Sequence, residues 1–263
     1  MIKLKEIKSR DNKIIKYLLR LNSNSSFRSK EKKFLCEGLR LCTEAVISGV
    51  EVEAVFLRDD SAEKYTELLE RIPSAELYLL SKSLFKLIAE TSTPQGVALL
   101  CKINRFDAQL RAASRIVALE TIQNPENMGT ILRTAEAFGI DQVILSKDCC
   151  DIFSPKVLRG SMGAVFRQRI TIPEDFYDTI TYLKSSDITV CAAVPHGGKD
   201  IKTLDFSQRC CVIIGNEGNG LTDRAIELCS TPVTIKMDGN AESLNAAVAA
   251  SIIMWEMVRG CSE

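Results

Sequence analysis

Cys210-Cys211-Val212-Ile213-Ile214-Gly215-Asn216-Glu217-Gly218-Asn219-Gly220 is an apolar run that passes directly into a loop with three glycines in six positions. A short apolar run bounded by glycine reads as a buried strand, and the pattern at Leu221–Cys229 reads as the helix that follows. Such a loop lets backbone approach a ligand closely, and a helix N-terminus offers free N–H groups. The spacing is G-x-x-G-x-G, whereas a dinucleotide fold uses G-x-G-x-x-G. Taken alone, the loop is either a plain strand-to-helix turn or a nucleotide site, and a nicotinamide-dependent dehydrogenase is disfavoured.

The surrounding chain repeats the same unit. Strands are expected at Arg115–Leu119, Gln142–Ser146, Ile188–Val194 and Pro232–Lys236, and helices at Gly129–Phe138, Pro155–Gly163, Phe176–Lys184 and Ser243–Arg259. Buried strands alternating with helices predict a parallel sheet with helices on both faces, whose ligand sits beyond the carboxyl ends of the strands. Two further polar, glycine-bearing junctions, at 124–135 and 235–245, fall on that edge. In the first, Asn127 is placed to cap the helix, and Arg133 projects a charged fork. In the second, Ser243 and Asn245 open an otherwise apolar helix.

Residues 1–105 read as a separate small α/β unit. Helices are expected around Ile14–Leu21 and Phe34–Val46, separated by a flexible Asn22–Ser26 loop. Val52–Leu57, Glu76–Leu80 and Gln95–Ile103 read as strands, and Asp60–Ile72 and Ser81–Glu90 as helices, with Asp60 and Glu63 at capping-box spacing. The polar stretch Asn104–Ser114 separates this unit from a second domain at 112–263.

Composition bounds the function. The 263 residues carry 34 basic and 34 acidic side chains, ten cysteines and one histidine. Without a C-x-x-C pair or a histidine set, neither a zinc site nor a disulfide framework is expected, and reduced thiols point to the cytoplasm. No apolar stretch reaches the length of a membrane span. The zero net charge is uneven: residues 1–40 hold twelve Lys or Arg against four acids, leaving +8, so the remainder carries −8. A basic entry segment fits either a polyanion such as nucleic acid or simply solvated helix faces. His196 reads as a loop residue.

The three junctions resemble the motifs of the SpoU (TrmH-like) family in the SPOUT class of RNA methyltransferases. Asn127, Gly129, Arg133, Thr134 and Ala135 satisfy N-x-G-x-x-x-R-T-A. Gly215-Asn216-Glu217-Gly218 with Gly220 matches the second motif, and Glu242-Ser243-Leu244-Asn245 the third. Ser154–Arg159 and Ser161–Ala164 are similar to the family between them. The likeness covers roughly residues 112–258. Less specifically, the first hundred residues resemble the small RNA-binding domain of many members, best at Phe34–Ala45.

The resemblance implies a deep trefoil knot in the C-terminal domain, although topology alone argues against threading. It implies S-adenosylmethionine as cofactor, methyl transfer to a ribose 2′-hydroxyl of structured RNA, and a homodimer with each site completed at the subunit interface. Arg133, Asn127, Glu217, Ser243 and Asn245 carry over as catalytic-site groups, and Gly215, Asn216, Gly218, Ile235, Met237 and Leu244 as cofactor contacts. Within that reading Asn127 orients Arg133, and Glu217 holds Arg133 or Asn127. Lys236 and Asn124 depart from the family's usual proline and aspartate, which bears on donor affinity. Ribosomal RNA is favoured as substrate, and the alternatives are a transfer RNA 2′-O-methyltransferase or a catalytically inactive RNA-binding accessory protein.

Overall fold

The computed structural model describes residues 4–103 and 113–259. The boundary expected at Asn104–Ser114 lies largely outside these residues, as do Lys3 and Cys261. The chain forms two compact units, residues 1–105 with 151–166 and residues 106–150 with 167–263.

The first unit runs β1 (Leu4–Ile7), α1 (Lys13–Ser23), α2 (Ser25–Glu31), β2 (Lys33–Glu37), α3 (Leu39–Ile47), β3 (Val52–Arg58), α4 (Thr66–Glu70), β4 (Glu76–Leu80), α5 (Lys82–Ile88) and β5 (Val97–Lys102). The strands form one mixed sheet in the order β1-β4-β3-β5-β2, with β5 antiparallel to both neighbours. The helix expected over Phe34–Val46 is in fact a strand and a helix, joined at Gly38 with φ +91°. Both faces of β2 are buried, which removes the alternation that marks a half-exposed strand. The flexible loop expected at Asn22–Ser26 shrinks to one residue: Asn24 ends α1 and caps α2, accepting from the Phe27 N–H at 2.8 Å. No capping box forms at Asp60, whose carboxylate instead takes the Arg58 guanidinium, and Ala62–Tyr65 is a 3-10 turn ahead of α4. The edge strand β1 was not expected, because its side chains are mostly exposed.

In the second unit β6 (Arg115–Leu119), α6 (Pro125–Ala137) and β7 (Gln142–Leu145) come first. Residues 151–166, carrying α7 (Pro155–Ser161) and most of α8 (Ala164–Arg167), belong to the first unit. The chain then adds β8 (Ile170–Thr171), α9 (Phe176–Ser185), β9 (Thr189–Ala193), β10 (Lys199–Asp200), β11 (Cys210–Ile214), α10 (Asp223–Leu228), β12 (Thr231–Thr234) and α11 (Ala246–Arg259). All seven strands are parallel, in the order β10-β12-β9-β11-β6-β7-β8. The two-residue strands β8 and β10 were not expected; they are too short to show a period. Phe176, Ile180 and Leu183 of α9 cover one face with Cys211 and Ile213 of β11. On residues of opposite parity lies α11, which packs against β11 and α6.

Within the first unit, residues 151–166 complete the core. Phe34 of β2, 1% exposed, meets the rings of Phe153 and Phe166 at 4.6 and 5.8 Å. Arg28 is buried at the α1–α2 junction, donating to Asp151 at 2.6 Å and to the carbonyls of Leu21 and Asn22. Part of the basic entry segment is therefore neutralised locally: besides Arg28, Lys5 pairs with Glu76, Lys8 with Glu6, Lys16 with Asp11 and Lys33 with Glu53. Phe34→Ala is expected to destabilise this unit by roughly 3–5 kcal/mol, because the aromatic stack loses its centre. Urea denaturation followed by circular dichroism measures it.

Candidate active site

Strand order alone assembles the site. Because β11 enters the sheet between β9 and β6, with β12 beyond β9, the segments leaving β6, β9, β11 and β12 all emerge on one edge. The loop after β11 folds back on itself: Asn216 and Gly220 exchange backbone hydrogen bonds at 2.9 and 3.0 Å. This closure brings Gly220 and Leu221 so near Gly215 that a Cβ there would overlap backbone atoms. The Asn216 side chain stiffens the turn, accepting from the Gly218 and Asn219 N–H groups and donating to the Thr121 carbonyl at 2.8 Å. The loop's exit is fixed by Glu120, a buried carboxylate just past β6, which accepts from Thr222 N and Oγ1 and from the Tyr177 hydroxyl. Sequence reading missed Glu120, since a single acid after a strand carries no pattern.

A hydrogen-bonded chain joins the three junctions. Glu217 accepts from the backbone N–H of Gln123 (3.1 Å) and Asn124 (3.0 Å) and from Asn127 Nδ2 (3.0 Å). The Asn127 carbonyl oxygen accepts from Asn245 Nδ2 at 3.0 Å, and Asn245 Oδ1 caps α11 through the N–H groups of Ala247 and Val248. Burial pushes the Glu217 carboxyl upward, but the donors from Asn127 and the Gln123 and Asn124 backbone outweigh it, leaving it below the usual carboxylate range. The cap of α6 is Asn124, not Asn127 as expected: Pro125 takes the first helical position, and Asn124 Oδ1 accepts from Glu126 N–H at 2.8 Å. Asn127 lies one turn inside the helix, 6% exposed.

Arg133 stands apart. It is exposed on α6, and its guanidinium has neither an ion pair nor a hydrogen bond among the described residues. Six residues separate it from Asn127, which at 3.6 residues per turn is roughly 120° around the helix. Glu217 therefore engages Asn127 and not Arg133, and Asn127 does not orient Arg133 within this chain.

Beside the network lies a cavity of about 390 Å³ beyond β9, β11 and β12. Gly215, Asn216, Gly218, Ile235, Met237 and Leu244 all line it, as do Glu217 and Ser243. The wall formed by Val194, Pro195 and Ile201 was not expected as part of it. Its signal was the Gly197-Gly198 pair: Gly198 packs so closely on Val233 and Thr234 that a side chain would collide with them. His196 is exposed on the same loop.

Residues 114–255 match the SpoU rRNA Methylase family, and residues 12–99 match the MRM3-like substrate binding domain. The chain is 30% identical to the Bacillus subtilis 23S rRNA (guanosine(2553)-2′-O)-methyltransferase RlmP, over 97% of this chain and 99% of that one. Among solved structures, an rRNA methyltransferase from Sinorhizobium meliloti superposes with a TM-score of 0.88 at 26% identity, covering 99% of both chains. The SpoU methyltransferase AviRb from Streptomyces viridochromogenes, in complex with the cofactor AdoMet, gives 0.87 at 27% identity, covering 95% of this chain and 98% of that one. Fold and site thus define a methyltransferase built on a parallel sheet. The chain belongs to the SpoU family and is an S-adenosylmethionine-dependent RNA methyltransferase.

The cavity fits this cofactor. Its volume lies within the roughly 300–1,000 Å³ of small-molecule sites, and it pairs apolar side chains able to sandwich a base with loop backbone able to hydrogen-bond its edge.

The depressed Glu217 carboxyl yields a pH signature. A carboxylate that binds its proton less tightly when folded stabilises fully above the unfolded value, roughly 4.3, and this contribution is lost as pH falls through the lower folded value. Glu217→Gln is expected to unfold at lower urea than wild type at pH 7, with the gap closing in acid. A gap independent of pH would show that the charge is not what matters.

Proposed function

We propose that this protein methylates a ribose 2′-hydroxyl of ribosomal RNA, with the first unit binding the RNA and the second carrying the transfer. The observation that supports this most is the Glu217–Asn127–Asn245 chain, which fixes three separate strand-to-helix junctions beside the cofactor cavity. The ribosomal substrate follows the RlmP relative, which spans nearly the whole chain.

S-adenosylmethionine supplies a sulfonium methyl group, already an activated electrophile, so the protein's task is alignment and charge stabilisation. Gly215, Asn216 and Gly218 hold the cofactor through backbone, while Ile235, Met237 and Leu244 pack its base. Glu217 and Asn127 hold the α6 and β11 junctions in register, and Asn245 ties α11 to them. Ser243, exposed at the cavity mouth, meets the ribose. Arg133 grips the phosphate beside the target ribose and stabilises negative charge developing on its oxygen. The proton of the 2′-hydroxyl leaves by the phosphate or by water as the oxygen takes the methyl group.

The position of Arg133 supports a homodimer in which it serves the partner's site. Its helix α6 packs against α11, which exposes Val248 and Trp255, and Trp255 touches Phe138 at the end of α6 with 5.7 Å between ring centres. Exposed apolar groups gathered on one helix pair mark an association surface. The trefoil knot belongs to the same proposal: the late strand β11 lies between the earlier β9 and β6, and the chain after β12 returns across the cavity into α11. Cytoplasmic residence accords with nine free cysteines among the described residues, where no helix is long and apolar enough to cross a membrane.

Mapping of 2′-O-methylation in total RNA is expected to show one ribosomal position lost in a deletion strain. That position should return with the wild-type gene and not with Arg133→Ala, whose turnover falls by about 10²–10³ in line with loss of one oxyanion donor. Arg133→Lys should also fail to restore it, because the planar fork is lost. Loss of methylation at a transfer RNA position instead would reassign the substrate. Trp255→Glu is expected to give a monomer by analytical ultracentrifugation and to abolish turnover while S-adenosylhomocysteine still binds by calorimetry.

A further inference from the structure

The segment Ser154–Ala164 plays no part in the methyl-transfer site described above, and it packs within the first unit. There Arg159, from α7, lines a groove of about 310 Å³ with Arg40 of α3 and with Glu37, Thr91, Thr93 and Gln95. We propose that this groove binds the phosphodiester backbone of the RNA substrate, gripped between the guanidinium groups of Arg40 and Arg159. The proposal rests on RNA being the substrate and names where the first unit holds it.

The hydrogen-bond inventory of the groove assigns its sign. Neither guanidinium has an ion pair or hydrogen bond among the described residues, unlike Arg28 and Arg58 of the same unit, which are both paired with aspartates. Glu37, the one acid in the groove, is already engaged: its oxygens accept from the Glu90 N–H at 2.6 Å, from the Thr91 N–H at 3.3 Å and from the Thr91 hydroxyl. It therefore shapes the 90–95 loop and is not left to pair with either arginine. Gln95 Oε1 is likewise occupied, by the Leu39 N–H at 2.7 Å, which leaves its amide N–H groups as donors. What faces the groove is two unpaired cations against the single Glu37 carboxylate, a positive balance, with neutral donors from Thr93 and Gln95 beside them. A guanidinium matches two phosphate oxygens at once, and a groove of this volume admits a nucleotide-sized segment of a strand.

Counterion release supplies the test. For each phosphate contact removed, the slope of log K against log salt should become shallower by about 0.7–0.9. The probe is a ribosomal RNA transcript that the wild-type protein methylates with tritiated S-adenosylmethionine, and binding is measured by filter retention at several salt concentrations. Arg40→Gln and Arg159→Gln should each weaken binding several-fold and flatten the slope by about one contact, and the double variant by about two. S-adenosylhomocysteine affinity, read by calorimetry, should stay at the wild-type value. Arg159→Lys should keep most of the salt slope while losing affinity, because charge survives and the fork does not. Both side chains lack internal partners, so thermal midpoints should match wild type. Unchanged slope and affinity in the double variant, with wild-type methylation intact, would overturn the groove and leave the enzyme reading standing. A wild-type protein that methylates no RNA would overturn the enzyme reading itself. Equal weakening by inorganic phosphate in wild type and double variant would show that the groove holds no phosphate.

Discussion

One carboxylate sets the polarity of the whole site. An ionised glutamate only accepts, so Glu217 compels Asn127 to present its amide nitrogen, which turns the Asn127 oxygen toward Asn245. Asn245 must then donate with its nitrogen, leaving its own oxygen to cap α11. The direction of every bond in this chain follows from one charge. The same carboxylate takes the backbone N–H groups of Gln123 and Asn124, so the strand-to-helix turn after β6 is set by a residue 93 positions away from Asn124. Neither amide can be reversed without placing like groups against each other, which gives the site a single arrangement.

The fixed geometry depends in turn on sheet order. The cofactor loop can contact the β6 junction because β11 pairs with β6 in parallel register, from Cys210 opposite Arg115 to Ile214 opposite Leu119. Glu120, the residue after that register ends, then reaches across to Thr222. The loop is thereby held at both ends: at its start by closure of Gly215 against Gly220, and at its exit by a buried carboxylate with three neutral donors. A buried polar group whose hydrogen bonds are all made within the protein is costly to disturb, so the loop presents a prebuilt wall to its ligand.

These dependences explain what was legible in the sequence. The seven-stranded sheet was legible at its long buried strands, where the runs at 115–119 and 210–214 coincide with β6 and β11. It was not legible at β8 and β10, which have two residues each and are defined by their neighbours. Phe34–Glu37 misled because burial on both faces makes a strand look like part of a helix. Asn127 was expected to cap α6, yet the fold gives that place to Asn124 and sets Asn127 between Glu217 and Asn245. Arg133 was expected beside Asn127, but their separation around α6 is a three-dimensional fact. Residues 151–166 show the limit most clearly, because a stretch contiguous with the second unit in sequence packs into the core of the first.

Among the described residues, the network and the cavity beside it draw on no histidine. His196 is exposed on a loop and has no place in the Glu217–Asn127–Asn245 chain. Transfer from a sulfonium starts with the electrophile made, so accuracy of placement carries more of the work than proton affinity. Amides and glycines serve that purpose because their hydrogen-bonding character does not change with pH. The one carboxylate in the network is held below the usual range and is fully ionised across neutral pH. The site is thus a scaffold held by fixed hydrogen bonds, and in the proposed function the basic groups that meet RNA are those left unpaired, Arg133 among them, and not the sum over the chain.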